Sequence, residues 1–402
     1  MKRSDNRILT THTGSLVRSP EIVEIMIKNY LGESVEQQEY EQALRDGVND
    51  VVRTQVETGI DVIDDGEFGK VNWITYLCER LNGLERVEVK PDVKRKVIWP
   101  EQEKYGDFYR AHNLYETIQW LPDTPSKSRY DGTQTIDYAN VRCTSALEYD
   151  PGPLQRDINN FKAALQNVEV EEAFIPVVAP SSIERTPNKH YETQEEFLFA
   201  LADALSVEYR MIVDAGFIVQ VDDAILPMQY FLQFRDKGME AYHKWAEVRI
   251  EALNHALEGI PEDRIRYHIC FGSQNVPHTA DPDLKDIIDL VLKVNAQAYC
   301  IEACNPRHEH EWQIWHDVKL PEGKILIPGV IGHATSIVEH PELIALRIRN
   351  FVNLIGRENI MAGSDCGFSQ GWNSPRVHSQ VQWAKLESLV EGARLASEKL
   401  WN

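Results

Sequence analysis

Residues 193–223, TQEEFLFALADALSVEYRMIVDAGFIVQVDD, decide the fold. Thr193 to Ala215 reads as an amphipathic helix, with apolar residues recurring at helical spacing, and Asp-Ala-Gly216 is a helix stop. The β-branched run Phe217–Asp222 follows at once and ends in two carboxylates, Asp222 and Asp223. Such a unit belongs to a repeated βα chain around a parallel sheet. Outward from it the same beat recurs, in apolar runs at 8–12, 61–65, 173–178, 265–270, 298–302, 325–330 and 359–363. Helical patterns lie between them: Glu36 to Thr58, Gly238 to Leu257, Pro282 to Val294, Pro341 to Leu354 and Val381 to Leu400. Eight units predict an α/β fold of a single (β/α)8 TIM-type barrel, spanning residues 1–402 as one domain. Leu81 to Asp150 breaks the beat, mixing charge, Pro, Tyr and Trp without a period. It reads as an insertion after strand 2, a lid with some structure of its own and room for a small β excursion.

Composition bounds the function. The 402 residues carry 42 basic and 63 acidic side chains, a net charge of −21, with no basic stripe, so nucleic acid and anionic membrane are poor partners. The N-terminus, MKRSDNRILTTHTGS, offers no apolar leader, and no run reaches the length of a membrane span. A cytoplasmic protein is expected. Six cysteines are too sparse for a disulfide scaffold and are expected to be reduced, free for metal or catalysis. One chain does not decide whether it forms a homo-oligomer.

In a barrel the active site lies at the C-terminal ends of the strands, and here nearly every strand ends in a reactive residue. The ends are His12-Thr-Gly-Ser15, Asp65-Gly-Glu67, Ser181-Ser182, Asp222-Asp223, His268-Ile-Cys270, Glu302, His333 and Asp365-Cys366. His268 and Cys270 are two apart, hence on one face of their strand, and Glu302 and Cys366 arrive from others. Two thiolates, an imidazole and a carboxylate form a set that zinc favours. A lone His-x-Cys is weak by itself, and small buried packing residues are the competing reading for both cysteines. Zinc lowers the pKa of a bound thiol, so a small-molecule thiol is the natural nucleophile for a sulfur-rich site.

Asp222 and Glu67 suit a substrate ammonium or general-base work, with solvated or helix-capping acids as the alternative. His333 suits a general acid, with a surface histidine nearly as good a reading. Arg18 or Arg376 suits a carboxylate or sulfonate. Cys300 and Cys304 read as packing residues. Trp73, Tyr76, Trp312, Trp315 and Trp372 suit stacking on a flat substrate but are more often packing. His308, His310 and His316 read as a solvated segment rather than a metal tract.

The order of these motifs resembles the C-terminal barrel of cobalamin-independent methionine synthase, in the stand-alone branch that includes epoxyalkane:coenzyme M transferase. The likeness runs from Thr10-Thr-His-Thr-Gly-Ser15-Leu-Val-Arg18 through Ile63-Asp-Asp-Gly-Glu67, Val219-Gln-Val-Asp-Asp223 and His268-Ile-Cys270. It continues in Cys300-Ile-Glu302, Pro328-Gly-Val-Ile331, Gly363-Ser-Asp-Cys-Gly-Phe368 and Trp383-Ala-Lys-Leu. The resemblance implies zinc on His268, Cys270, Glu302 and Cys366. It further implies that Ser15, Glu67 and Asp222 contact an amino-acid thiol, with His12 and Arg18 in the same substrate-binding motif, and that His333 protonates the leaving group. Activity is then expected to be zinc-dependent alkyl or methyl transfer to a thiol held as zinc-bound thiolate, similar to methionine synthesis from homocysteine. The partners would be a small-molecule thiol and an alkyl donor. A demethylase or a carbon–sulfur bond-forming or cleaving enzyme is the alternative within enzymes, and a zinc-stabilised ligand-binding barrel the alternative outside them. Two departures stand out. The Asn-Trp-Ser-Phe segment that supports folate in methionine synthases is replaced by Ala179-Pro-Ser-Ser-Ile-Glu-Arg185, and His333 sits one residue closer to its Pro-Gly-Val.

Overall fold

The computed structural model describes residues 1–30, 35–86, 101, 103–111, 141–273, 275–371 and 375–401. The described residues form ten strands: β1 (Leu9–Thr10), β2 (Val62–Ile63), β3 (Leu81–Arg86), β4 (Val141–Tyr149), β5 (Glu172–Val178), β6 (Ile218–Asp222), β7 (Ile265–Ile269), β8 (Ala298–Ile301), β9 (Ile325–Ile331) and β10 (Met361–Ser364). Eight of them form one parallel sheet in the order β1-β10-β9-β8-β7-β6-β5-β2. A parallel bridge between Thr11 and Val62 joins its two edges, so the sheet closes into the expected barrel.

Helices wrap the outside. The helix Gln194–Asp214 opens on a reciprocal cap, in which Thr193 Oγ1 accepts from Glu196 N–H at 3.0 Å and Glu196 Oε2 accepts from Thr193 N–H at 3.3 Å. Among the described residues, two helices longer than ten residues were not expected from the pattern, Pro20–Tyr30 and Gly152–Leu165. The expected helix from Pro282 to Val294 is instead a 3-10 turn, Leu284–Asp286, and one α turn, Ile288–Val291. Glu311 Oε1 takes the Leu284 N–H at 2.7 Å, which ties the start of that segment to a neighbouring loop.

Along each barrel strand alternate residues point inward and stack in layers. Leu9, Val62, Phe174, Ile218, Ala298, Cys300, Ile325, Ile327 and Met361 make an apolar floor. Above it Arg266 lies 3.9 Å over the Phe174 ring and donates to Thr11 Oγ1 and to the His12 carbonyl, both at 3.0 Å. His268 and Cys270 continue the same inward face of β7 toward the mouth.

The insertion begins as an antiparallel pair, β3 with β4, Leu81 opposite Tyr149 and Arg86 opposite Val141. Its base is locked by charge: Arg80 donates to Glu208 Oε1 at 2.7 Å and to Asp157 Oδ2 at 2.6 Å, all three buried. A second described piece meets the barrel rim, where Glu101 Oε1 accepts from Thr279 Oγ1 at 2.8 Å and Ala280 N–H at 3.1 Å. The remainder of the 81–150 insertion lies outside the described residues, as does Trp372. No helix among the described residues is long and apolar enough to cross a membrane.

Candidate metal centre

His268, at the end of β7, Cys270 just after it and Cys366 just after β10 bring one ligand atom each to a common point, all within 4.8 Å of one another and all buried. The parallel pairing of β10 with β9, with a register shift between Gly363 and Ser364, leads into Cys366. A Cβ on Gly329 would stand 2.2 Å from Asp365 Oδ1, so only glycine allows this approach. Asp365 then accepts from Ala303 N–H (2.8 Å) and Cys304 N–H (2.9 Å), tying the loop after β8 to Cys366. The Cys304 thiol donates to Asp365 Oδ2 at 3.0 Å, a polar tie beyond mere packing.

Zinc fits the three residues. The Cys270 and Cys366 sulfurs are 3.7 Å apart, and Zn–S bonds of about 2.3 Å at tetrahedral angles imply a separation of about 3.8 Å. Both His268 ring nitrogens are buried without a hydrogen-bond partner, and burial holds the ring neutral, its pKa lowered to about 3. A neutral imidazole is the form that ligates. The Cys366 sulfur and burial push the Cys270 thiol well up, so two thiolates need a cation between them. Glu302 stands beside this group but outside it. Its Oε2 accepts from Phe271 N–H at 3.0 Å and its Oε1 from Asn305 Nδ2 at 2.8 Å.

The three residues form one end of a pocket enclosing about 450 Å³ of open space. Thr13, Ser15, Glu67, Trp73, Asp222, Ser273 and Gln370 line the rest. Ser15 and Glu67 are positioned by two tight turns. Gly14 has φ +106°, and a Cβ there would meet Pro176 Cγ at 2.7 Å and Glu67 Oε1 at 2.9 Å. Glu67 itself has φ +60°, uncommon for a side-chain-bearing residue, a conformation seen mostly where function or packing over-determines it. Asp222 faces the same space and accepts from Gln220 Nε2 at 2.8 Å. Burial and the Glu67 carboxylate raise its pKa well above the ordinary carboxylate range.

His12 and Arg18 do not reach this lining. His12 Nε2 is 2.7 Å from Gln55 Oε1 and its Nδ1 accepts from Gly14 N–H at 3.1 Å, so both nitrogens serve the turn that presents Ser15. Arg18 donates to the carbonyls of Glu67 and, at 3.0 Å, Lys70, bracing the Glu67 loop from behind. Asp223 also turns away, accepting from Ser181 Oγ (2.7 Å), Tyr267 OH (3.0 Å) and Leu226 N–H (3.2 Å). Arg376 reaches the rim, its Nε 3.2 Å from Ser273 Oγ. His333 is buried, and neither ring nitrogen has a hydrogen-bond partner. Burial, with Arg376, His278 and His268 nearby, lowers its pKa to about 3. His308 is buried rather than solvated, whereas His310 and His316 are exposed.

Sequence reading passed over Thr13, Ser273, Gln370 and Lys70. Lys70 carried the one usable signal, three residues after Glu67. Its Nζ is 3.6 Å from Glu67 Oε2 and donates to the Pro176 carbonyl.

Three comparisons bear on this arrangement. The family model for the catalytic domain of cobalamin-independent synthase matches residues 8–121 and 176–386. A methionine synthase from Sulfolobus acidocaldarius is 24% identical over 393 residues, covering 97% of this chain and 93% of that protein. The uncharacterized protein YxjH of Bacillus subtilis is 24% identical over 397 residues, covering 94% and 92%. In fold the chain is similar to a B12-independent methionine synthase from Shewanella sp. W3-18-1 in complex with selenomethionine, with a TM-score of 0.68, 18% identity and 98% and 99% of the two chains covered. The match to the family model extends over most of the barrel and takes in every residue of the metal centre, and on that ground the chain belongs to the cobalamin-independent synthase catalytic-domain family.

Proposed function

We propose that the chain is a zinc-dependent thiol S-alkyltransferase, taking a methyl or other alkyl group from a donor onto a small amino-thiol of the homocysteine type. The observation that carries this reading is the junction, in one pocket, of the His268–Cys270–Cys366 group with two buried carboxylates, Glu67 and Asp222. Zinc on His268, Cys270 and Cys366 would supply a cation that holds a substrate thiol as thiolate at neutral pH. Glu302, held beside the group by the Phe271 N–H, is the candidate for a fourth ligand.

The remaining chemistry falls to the chain. Lys70 Nζ stands 3.6 Å from Glu67 Oε2, but no Lys or Arg is among the described lining residues and Asp222 meets the Glu67 charge at the pocket, so an ammonium is the group that Asp222, with Glu67, would bind. Ser15 offers its hydroxyl to the rest of an amino-acid backbone, whereas the Thr13 hydroxyl is donated to the Ser364 carbonyl at 2.8 Å. Trp73 covers the pocket and, with the insertion docked through Glu101 on the rim, restricts water near the reacting sulfur. His333 is the side chain for protonating the leaving atom. Held neutral at rest, it must first receive a proton.

Zinc content of the purified protein tests the reading, together with that of Cys270→Ser and Cys366→Ser. The intact chain is expected to bind about one zinc and to alkylate homocysteine only when loaded, each variant losing both properties. Full zinc content in either variant would overturn it.

A further inference from the structure

Inside the barrel, one side-chain amide joins two walls of the pocket. Gln220 stands two residues before Asp222 on β6, so both side chains take the same face of the strand, and Gln220 is fully buried. Its Nε2 donates to Asp222 Oδ1 at 2.8 Å and to the Thr13 carbonyl at 3.2 Å, which uses both of its N–H bonds. Asp222 and Thr13 both line the pocket, one from β6 and the other from the turn that follows β1. Two acceptors on one nitrogen also fix which way the amide faces. Reversed, it would set its oxygen against a carboxylate and a carbonyl.

The other half of the amide makes no bond. Oε1 is buried with no hydrogen-bond partner among the described residues. Arg266, the register partner of Gln220 on β7, donates to Thr11 and His12 instead. A buried acceptor left unpaired is destabilising, and an apolar side chain of the same length would fill the space without it. Packing alone therefore does not account for a glutamine here, whereas its two donated bonds do.

From Thr13 the bonds run on to the metal centre. Thr13 Oγ1 donates to the Ser364 carbonyl at 2.8 Å, and Thr13 N–H donates to Ser364 Oγ at 3.1 Å. Ser364 Oγ donates in turn to the Cys366 carbonyl at 3.0 Å. Asp222 is thereby tied, through Gln220, Thr13 and Ser364, to the backbone of a residue of the metal centre. A carboxylate fixed before its ligand arrives gives up less freedom when it binds.

We propose that Gln220 is a positioning residue for the substrate. By holding Asp222 Oδ1 it aims that carboxylate at the substrate ammonium, at a set separation from the sulfur at the metal centre. The proposal rests on the thiol-alkylation reading, in which Asp222 binds the amino group. Gln220 is not among the described lining residues and acts through Asp222.

Thiol titration of the cobalt(II)-loaded full-length protein tests this. Sulfur-to-cobalt absorption reports the Kd of L-homocysteine and of 3-mercaptopropionate, which lacks the amino group. Gln220→Met keeps the length and removes both donors, and Gln220→Glu keeps the shape and sets an acceptor in their place. Either variant suffices if the other does not fold. Expected in each is a Kd for homocysteine raised roughly tenfold and one for 3-mercaptopropionate changed by less than about twofold, with no further rise when Gln220→Met is added to Asp222→Asn, as for two residues acting through one contact. Equal weakening of both thiols, an unchanged Kd for homocysteine, or losses that add in the double variant would overturn the positioning role and leave the alkyltransferase reading standing. No change of absorption when homocysteine is added to the unmodified protein would overturn both.

Discussion

Asp222 is the side chain on which substrate choice turns. It is buried, it shares the pocket with Glu67, and its carboxyl is pushed well above the ordinary range by burial first and by Glu67 second. An ammonium between the two would offset their mutual repulsion and favour the charged carboxylate, and a hydrogen bond to a charged group contributes about 1.5–3 kcal/mol. Asp222→Asn is therefore expected to lower kcat/KM for homocysteine by roughly 10- to 150-fold, which is that energy as a ratio. For 3-mercaptopropionate, which has no amino group, the same change should matter little. Steady-state kinetics with the two thiols decide it: equal losses would make Asp222 a structural residue. At this scale much of the site was legible. His268 and Cys270 share a face by spacing alone, and the strand-end rule put Ser15, Glu67, Asp222 and Cys366 at one mouth. His12 and Arg18 were read into the pocket because their partners are backbone groups, Gly14 N–H for one and the Glu67 and Lys70 carbonyls for the other. A sequence shows side chains, and such partners appear only once the turn is folded.

The loops after β7 and β8 show a second limit at the scale of elements. Apolar spacing from Pro282 to Val294 suits a helix, yet Glu311 takes the Leu284 N–H and the segment folds as two short turns. Polar residues at 308–316 suit a solvated strip, yet His308 is buried between Asp281 and Glu311. In both cases a partner about 27 residues away in the chain overrides local propensity. The His308 pair of hydrogen bonds makes a stability prediction whose sign follows from linkage. The folded pKa, raised to about 10, lies above the ordinary histidine value of 6.5. The folded state therefore keeps a proton that the unfolded state releases as pH rises. The contribution is complete below pH 6.5, declines above it by about 1.4 kcal/mol per pH unit, and is gone once pH passes about 10. Urea unfolding of the chain and of His308→Gln at several pH values from 6 to 10 measures it. The stability difference between the two proteins should shrink at about that slope, and a constant difference would show that His308 is neutral in the folded state.

For the whole molecule, the alternation of short apolar runs and amphipathic stretches was enough to read the barrel, because a parallel barrel repeats one local unit and its closure follows from number. The joint between barrel and insertion repeats nothing and was not readable. It rests on Arg80, whose two carboxylate partners lie 77 and 128 residues further along the chain, on the helices Gly152–Leu165 and Gln194–Asp214, while Arg80 itself leads into β3. Tyr76 adds a hydrogen bond to Glu208 at 3.1 Å and receives one from Val178 N–H at 3.3 Å, so the same group touches the end of β5. Removing one member of such a buried set leaves charge without compensation, typically about 3–5 kcal/mol. Arg80→Met is expected to lower global stability by up to that amount, because Glu208 stays buried with the Tyr76 hydroxyl in place of a cation, and Asp157 keeps Arg156 on one oxygen only. The source of the loss can be separated from simple packing. If uncompensated charge is responsible, adding Asp157→Asn and Glu208→Gln to Arg80→Met should recover part of the stability, although each alone removes a hydrogen-bonded partner of Arg80. Denaturant unfolding of the single and triple variants provides the comparison. A triple variant no more stable than Arg80→Met would show that Arg80 acts by filling space, and that the insertion is joined to the barrel by shape rather than by charge.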